Sequence, residues 1–250
     1  MSREPLLSVT GLVKSFGGLM ATNHLDFDLV EGEIHGIIGP NGAGKTTFVS
    51  QLQGQLLPDQ GKILLDGDDV TMMPAHLRAR RGIARSFQTT SLVPSFTALA
   101  NVMLAVQGTQ GHSFRFWKRA WGDARLTEPA HAALTTVGLA AKANTKVADL
   151  SHGECRQLEL AMALAMKPRL LLLDEPMAGM GRQDGAAMTD LVAELKGVTT
   201  IVLIEHDMEA VFRLADRISV LVAGRVIKTG LPEEVRVDED VRAAYLGHSH

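Results

Sequence analysis

The run Gly39-Pro40-Asn41-Gly42-Ala43-Gly44-Lys45-Thr46 sets two glycines five positions apart ahead of a lysine and a hydroxyl residue, the spacing of a phosphate-binding loop. Glycines let the chain wrap with its N–H groups turned inward at phosphate oxygens, and a helix starting there adds the positive end of its dipole. Lys45 brings a point charge to the outer phosphates, and Thr46 and Thr47 add hydroxyls, that of Thr46 being offered to Mg²⁺. The apolar run Ile34 to Ile38 lies immediately before the loop and the helix-compatible stretch Lys45 to Gln53 follows it, which is the context the motif requires.

Two more clusters stand at the ends of apolar runs. Leu170-Leu171-Leu172-Leu173 closes on Asp174-Glu175-Pro176, and Thr200 to Ile204 closes on Glu205-His206-Asp207. Each alone reads as an ordinary buried strand with a charged exit. Beside a phosphate loop each gains a second meaning, because the carboxyl ends of parallel strands face the crevice where ligands bind. Asp174 is then the metal-directed acid, and Glu175, pointing the opposite way along the strand, is the candidate base for a water near the outermost phosphate. An imidazole at His206 would hydrogen-bond that phosphate or the attacking water.

These residues need a scaffold that gathers strand ends. Leu7 to Val13, Leu25 to Leu29, Ile34 to Ile38, Ile83 to Phe87, Leu170 to Leu173, Thr200 to Ile204 and Ile218 to Val222 read as strands. Helical stretches alternate with them at Lys45 to Gln53, Leu158 to Met166, Ala186 to Lys196 and Met208 to Ala215. Apolar strands without alternation imply a parallel sheet covered on both faces. Strand pairs with turn signals in the first ninety residues, such as Ile63 to Leu65 before Asp66-Gly67, predict an antiparallel layer beside it. Thr97 to Val106, Glu128 to Val137 and Gly153 to Met166 carry helix-forming composition with almost nothing strand-like between. The expectation is one α/β domain over residues 1–250, its core at about 1–94 and 167–250 and a helical subdomain inserted at about 95–166.

Composition narrows the function classes. The 250 residues are 46% hydrophobic and 21% charged with a net charge of −3, enough for a sizeable core and without the basic excess of a general nucleic-acid binder. Aromatic residues at 4% offer little of the stacking that single-strand binders use. One cysteine, Cys155, excludes a disulfide framework within the chain and a cysteine metal cluster, in keeping with a reducing compartment. No secretory leader is read at Met1 to Pro5, and no apolar run approaches the roughly 18 to 20 residues of a membrane span.

With these residues assembled, the chain resembles the ATP-binding subunit of an ABC transporter, over nearly its whole length and with its motifs in order. Leu150-Ser151-His152-Gly153-Glu154 resembles the signature motif peculiar to that superfamily, Gln88 the Q-loop glutamine and His206 the switch histidine. Phe16, in Lys14-Ser15-Phe16-Gly17-Gly18, resembles the adenine-stacking aromatic. The resemblance implies a RecA-like P-loop NTPase core, ATP with Mg²⁺ held by Thr46, Gln88 and Asp174, and hydrolysis by Glu175 and His206 with Lys45. It also implies that Ser151 and Gly153 cover nucleotide held by the phosphate loop of a second ATPase subunit, whether the same or a related chain. Local sequence leaves that reading open against a plain helix cap, with Ser151 as capping residue and Glu154 three positions on.

Phe16-Gly17-Gly18-Leu19, Gly82-Ile83-Ala84-Arg85-Ser86-Phe87-Gln88, Glu205-His206-Asp207-Met208 and Ala244-Tyr245-Leu246-Gly247 are similar to the branched-chain amino acid importer branch. Urea-type and related amide or organic-acid importers share much of that pattern, as does the lipopolysaccharide-export ATPase. The importer resemblance implies membrane permease subunits as partners, a periplasmic solute-binding protein acting indirectly, and a place on the cytoplasmic face of the inner or plasma membrane. Non-transport ABC ATPases that act on chromosomes need heptad coiled coils, and those of translation carry two cassettes per chain; neither is read here, and no nucleic-acid partner is expected. A P-loop kinase would lack Leu150 to Gly153.

The chain departs from the family at His152 and Glu154, which stand where Gly and Gln are commonest, and at Gly181 in Ala178-Gly179-Met180-Gly181, where the D-loop usually ends in Asp or Asn. Phe114, Trp117 and Trp121 share a helical face that packs on the helical subdomain or meets a membrane partner. Met162 and Met166 are spaced as core residues, and His248 and His250 have no further metal ligands near them.

Overall fold

The computed structural model of the chain describes residues 4–85, 92–109 and 123–246. Phe114, Trp117, Trp121, His248 and His250 lie outside those residues.

Among the described residues six strands form the central sheet: β3 (Ile34–Ile38), β6 (Ile83–Arg85), β7 (Leu170–Asp174), β8 (Thr200–Ile204), β9 (Arg217–Val222) and β10 (Arg225–Gly230), in the order β10-β9-β3-β8-β7-β6. All pairs but β10 with β9 are parallel. Strands β3, β7 and β8 are buried at every position, which is why their sequences run apolar without alternation. Strand β10, absent from the sequence-based reading, forms a hairpin with β9 at the sheet edge and alternates exposed with half-buried residues. A second, antiparallel sheet takes the order β2-β1-β4-β5 from β1 (Leu7–Phe16), β2 (Leu19–Leu29), β4 (Gln60–Leu65) and β5 (Asp68–Asp69), with the expected turn at Asp66-Gly67.

The apolar residues divide by layer. The antiparallel sheet, α1 (Lys45–Gln53) and one side of the central strands share a core that includes Leu7, Leu29, Ile37, Phe48, Leu52 and Leu172. On the other side α3 (Ala98–Thr109), α4 (Ala124–Thr136) and α5 (His152–Ala165) pack on one another and join a core with α6 (Arg182–Glu194), Leu173 and Leu203. Met162 is buried there and Met166 packs against it, as their spacing requires. The remaining helices are α2 (Ala75–Arg80), α7 (Met208–Leu214), α8 (Pro232–Val237) and α9 (Glu239–Leu246), of which α7, α8 and α9 cover β9 through Val211, Val235 and Val241. Among the described residues no helix is long and apolar enough to cross a membrane.

Two buried polar knots fix the phosphate-loop unit. At the entrance to β3, Glu33 accepts from the Arg217 guanidinium at 2.7 Å and lies 3.0 Å from Nδ1 of the fully buried His35, whose Nε2 meets Ser219 Oγ at 2.8 Å. Burial works against the Glu33 charge, but hydrogen bonds from His35, Arg217 and the Val30 N–H outweigh it and hold the carboxyl at about 2. The stabilisation from Glu33 is therefore complete above the ordinary carboxylate range and is lost only as pH falls toward that value.

At the other end of α1, the buried Arg78 guanidinium donates to the carbonyls of Gln51, Leu52, Thr71 and Met73 at 2.6 to 2.9 Å. Burial pulls its pKa down to about 10, against the charge of Asp69. Arg78 thus caps the negative end of the helix that begins at the phosphate loop. Replacing Arg78 with Ala removes a buried cation's bonds to four carbonyls, of which Gln51 O keeps the Gly54 N–H, and is expected to cost about 3 kcal/mol or more, lowering the melting temperature by about 6 °C or more. Thermal and urea unfolding of the purified variant measure this; a loss below about 1 kcal/mol would remove the cap from the account.

Candidate active site

The carboxyl ends of the adjacent strands β3, β8 and β7 open at one edge of the sheet, and the chemistry-bearing residues collect there. Gly39 to Gly44 form the turn out of β3. A Cβ on Gly39 would stand 2.0 Å from Leu221 O, and one on Gly44, which has φ +102°, would stand 2.1 Å from Ala21 O. Glycine is therefore required at both by close backbone approach. The Gly224 N–H donates to Ala43 O at 2.9 Å and ties the loop to the β9–β10 hairpin.

Helix α1 starts with no side-chain cap and no acidic residue in its first turn, so its leading N–H groups are left for a ligand. The nearly buried Lys45 ammonium folds back on the loop and donates to Gly39 O at 2.6 Å and Pro40 O at 3.1 Å. Burial lowers its pKa, opposed by the charges of Glu175 and Asp174. A cavity of about 280 Å³ lies over the loop, lined by Phe16, Leu19, Ala21, residues 41–47, Glu175 and His206. Phe16 is half exposed at its rim, with the Lys14 ammonium 5.8 Å from the ring centre.

On the far wall, Glu175 follows β7 with φ +53°, a left-handed conformation that a non-glycine residue holds only where the surroundings enforce it. Its N–H donates to Ile204 O at 2.8 Å, and its Oε1 lies 2.9 Å from His206 Nε2. Asp207 caps α7 by accepting from the Glu209 and Ala210 N–H groups, which fixes the backbone beyond His206. Glu175 and His206 therefore meet over the phosphate loop, a contact beyond the sequence reading, which places both at strand ends facing one crevice.

Asp174 does not line that cavity. Its Oδ2 accepts from Arg85 at 2.6 Å in a buried ion pair, while its buried Oδ1 has no hydrogen-bond partner among the described residues. Burial pushes the Asp174 carboxyl up, and the charge and hydrogen bond of Arg85 restrain it. Arg85 also reaches Gln53 and Gln55 at the end of α1, so it joins β7 to the phosphate-loop helix. Gln88, three residues beyond Arg85, lies outside the described residues.

Ser151 and Gly153 stand at the start of α5 and are not among the residues lining the cavity. Ser151 Oγ accepts from the Glu154 N–H at 3.2 Å and Glu154 accepts from the Ser151 N–H at 2.9 Å, so a capping box is present. Glu154 is also paired with Lys142. A Cβ on Gly153 would meet the Asp184 carboxyl at 2.9 Å, so part of the need for glycine arises within the chain. Gly181 caps α6 without a side chain, and Asp184 supplies the acid of that helix's first turn.

Sequence reasoning assigned no separate role to Arg85 or Glu205. Glu205 is nearly buried, accepting from the Met177 N–H at 2.8 Å and from the His206 N–H at 2.8 Å. The available signal was that Glu205 sits inside a polar strand exit already singled out and Arg85 inside the run Gly82 to Gln88.

Comparison with known proteins bears on this arrangement. The profile of the ABC transporter family matches residues 22–178, and that of the branched-chain amino acid ATP-binding cassette transporter matches residues 225–250. The chain is 39% identical over 256 residues to the high-affinity branched-chain amino acid transport ATP-binding protein LivG of Escherichia coli (strain K12), covering 98% of this chain and 99% of that one. The ADP conformation of an ATP-binding cassette of an ABC transporter superposes with a TM-score of 0.86 at 27% identity, over 98% of this chain and 100% of that chain. The dimeric structure of a bacterial ABC transporter cassette superposes with a TM-score of 0.76 at 26% identity, over 90% and 98% of the two chains. The fold is that of the ABC cassette, with its P-loop, parallel and antiparallel sheets and packed helices. On that match, spanning well over half the sequence and including the phosphate loop, the chain belongs to the ABC transporter family as an ATP-binding, ATP-hydrolysing cassette.

Proposed function

We propose that this cassette hydrolyses ATP to drive a membrane importer for branched-chain amino acids. It would work at the cytoplasmic face of the membrane with permease subunits, a second cassette of the same or a related kind, and a periplasmic solute-binding protein that acts indirectly. The observation that carries the chemical part is the single cavity lined by the phosphate loop, Lys45, Glu175 and His206. The solute rests on the family match at residues 225–250 and on the printed names of the relatives.

In this reading Phe16 stacks on the base, Gly39, Pro40, Asn41, Gly42, Ala43 and Gly44 wrap the phosphates, and Lys45, Thr46 and Thr47 contact them through the first turn of α1. Thr46 and Asp174 Oδ1, which is unpartnered among the described residues, are hard oxygen donors of the kind Mg²⁺ takes, with Gln88 proposed as a third ligand. When bound, that ion supplies charge neutralisation at the phosphate oxygens. Glu175 takes the proton of the attacking water, and His206 holds Glu175 in register and contacts the outermost phosphate. Ser151, Gly153 and the start of α5 seal the nucleotide of the partner cassette, which keeps the capping box intact because backbone N–H groups at a helix start still face outward. Loss of the outermost phosphate removes the ligand both cassettes share and lets them part.

Affinity capture of the full chain from its own membranes tests the importer reading. It should bring down permease subunits and, through them, a receptor that binds leucine, isoleucine or valine. A receptor that instead holds urea, another amide or an organic acid would overturn the proposed solute, and an export complex would overturn import.

A further inference from the structure

Glu205 occupies a position that neither Lys45, Glu175 nor His206 explains. It follows β8, is 6% exposed, and spends both carboxylate oxygens on backbone. Oε1 accepts from the Met177 N–H at 2.8 Å, two residues beyond Glu175, and Oε2 accepts from the His206 N–H at 2.8 Å. The Glu175 N–H meanwhile donates to Ile204 O at 2.8 Å, and the Glu175 and His206 side chains meet at 2.9 Å. The result is a closed ring: Glu175 to Met177 along the chain, Met177 to Glu205, Glu205 to His206, and His206 back to Glu175. Within it Glu175 is held at φ +53°.

We infer that Glu205 is a positioning residue for hydrolysis, its carboxylate spanning the turn after β7 and the turn after β8 so that Glu175 and His206 are held at catalytic separation. The inference rests on the roles given above to Glu175 and His206. Two charge-assisted bonds to N–H groups in a nearly dry site are strong and directional. Without them, among the described residues, the turns are joined by the Glu175 N–H bond and by the side-chain contact they are meant to set. Such a loss acts on the reacting geometry while the phosphate loop, which binds the nucleotide, stays as it is.

Glu205→Gln keeps the size but faces one of the two N–H groups with an amide NH₂, itself a donor. With the full-length chain, ATP affinity by calorimetry and phosphate release at saturating ATP are measured beside the wild type and Glu175→Gln. The expected result is an ATP Kd within about twofold of wild type, a melting temperature lowered by no more than a few degrees and a kcat lower by about 10- to 100-fold. A wild-type kcat in Glu205→Gln, with Glu175→Gln inactive, overturns the inference and leaves the proposed mechanism standing. Full turnover in Glu175→Gln would instead remove the mechanism and the inference together. A parallel fall in affinity, turnover and melting temperature would assign Glu205 a purely structural role and also overturn it. If Glu205→Gln fails to fold, Glu205→Asp, which keeps the charge but is one methylene short of spanning both turns, is read by the same criteria. Failure of both to fold counts as the structural outcome.

Discussion

A Glu175→Gln cassette should bind ATP with an affinity close to wild type and release phosphate at least about 100-fold more slowly, the usual reach of a positioned general base. The expectation follows from where the side chain sits. Glu175 lines the cavity over the phosphate loop without taking part in the loop's own hydrogen bonds, and its Oε1 meets His206 Nε2 at 2.9 Å. The amide is isosteric and can still accept from the imidazole, but it cannot take a proton from water. Binding and turnover should therefore separate, which a general loss of structure would not allow. Phosphate release at saturating ATP, with calorimetry on the same preparation, makes the measurement. Turnover within about threefold of wild type would show that another group acts as the base.

The opposite pattern is expected of Lys45→Ala. Here the ammonium is held against the loop by Gly39 O and Pro40 O, about 3 Å or less from each, and it lies at the floor of the cavity. Its removal takes away a charge that phosphate oxygens would meet directly, and it also removes the ammonium from Gly39 O and Pro40 O, of which Pro40 O keeps the Ala43 N–H at 3.2 Å. Two charge-assisted contacts at about 1.5 kcal/mol each amount to about 3 kcal/mol, or roughly 100-fold in Kd. Because the glycines that shape the turn and the Arg78 cap at the far end of α1 are untouched, the fold should survive. Calorimetry at low ionic strength gives the answer, and a Kd within about threefold of wild type would remove Lys45 from the phosphate site.

How much of this was legible in the sequence depended on how local the information was. Strands β3 and β8 were read to the residue because an uninterrupted apolar run is buried on both faces, and α1 because Gly44 and Gly54, both left-handed, bracket it. Strand β10 was missed because its burial alternates at a sheet edge and its residues are as polar as a loop. Helix α2 was missed because its one buried residue is Arg78, a cation that no hydrophobic pattern reveals. The phosphate loop was legible for the same reason as α1, since its chemistry is carried by consecutive residues.

The supporting contacts are of another kind. Arg85 meets Asp174 across 89 positions of sequence, and Glu205 meets Met177 across 28. Both depend on register, which pairs Arg85 with Leu172 and Asp174 with Ile204 and so brings the ends of β6, β7 and β8 level. Strand composition carries no record of which residue will stand opposite which, so these partners became visible only with the sheet assembled. The start of α5 shows the complementary case. Its sequence allowed both a capping box and a contact surface; the box is formed, and the contact surface needs a second cassette to be seen.

That second cassette is the centre of the account, and sedimentation of the Glu175→Gln chain with and without ATP tests it most directly. ATP should convert the monomer to a dimer, and adding Ser151→Arg, which sets a bulky cation at the start of α5, should abolish the dimer while leaving the nucleotide bound. A chain that remains monomeric with ATP in place, or a dimer indifferent to both ATP and Ser151→Arg, would contradict a triphosphate held between two cassettes.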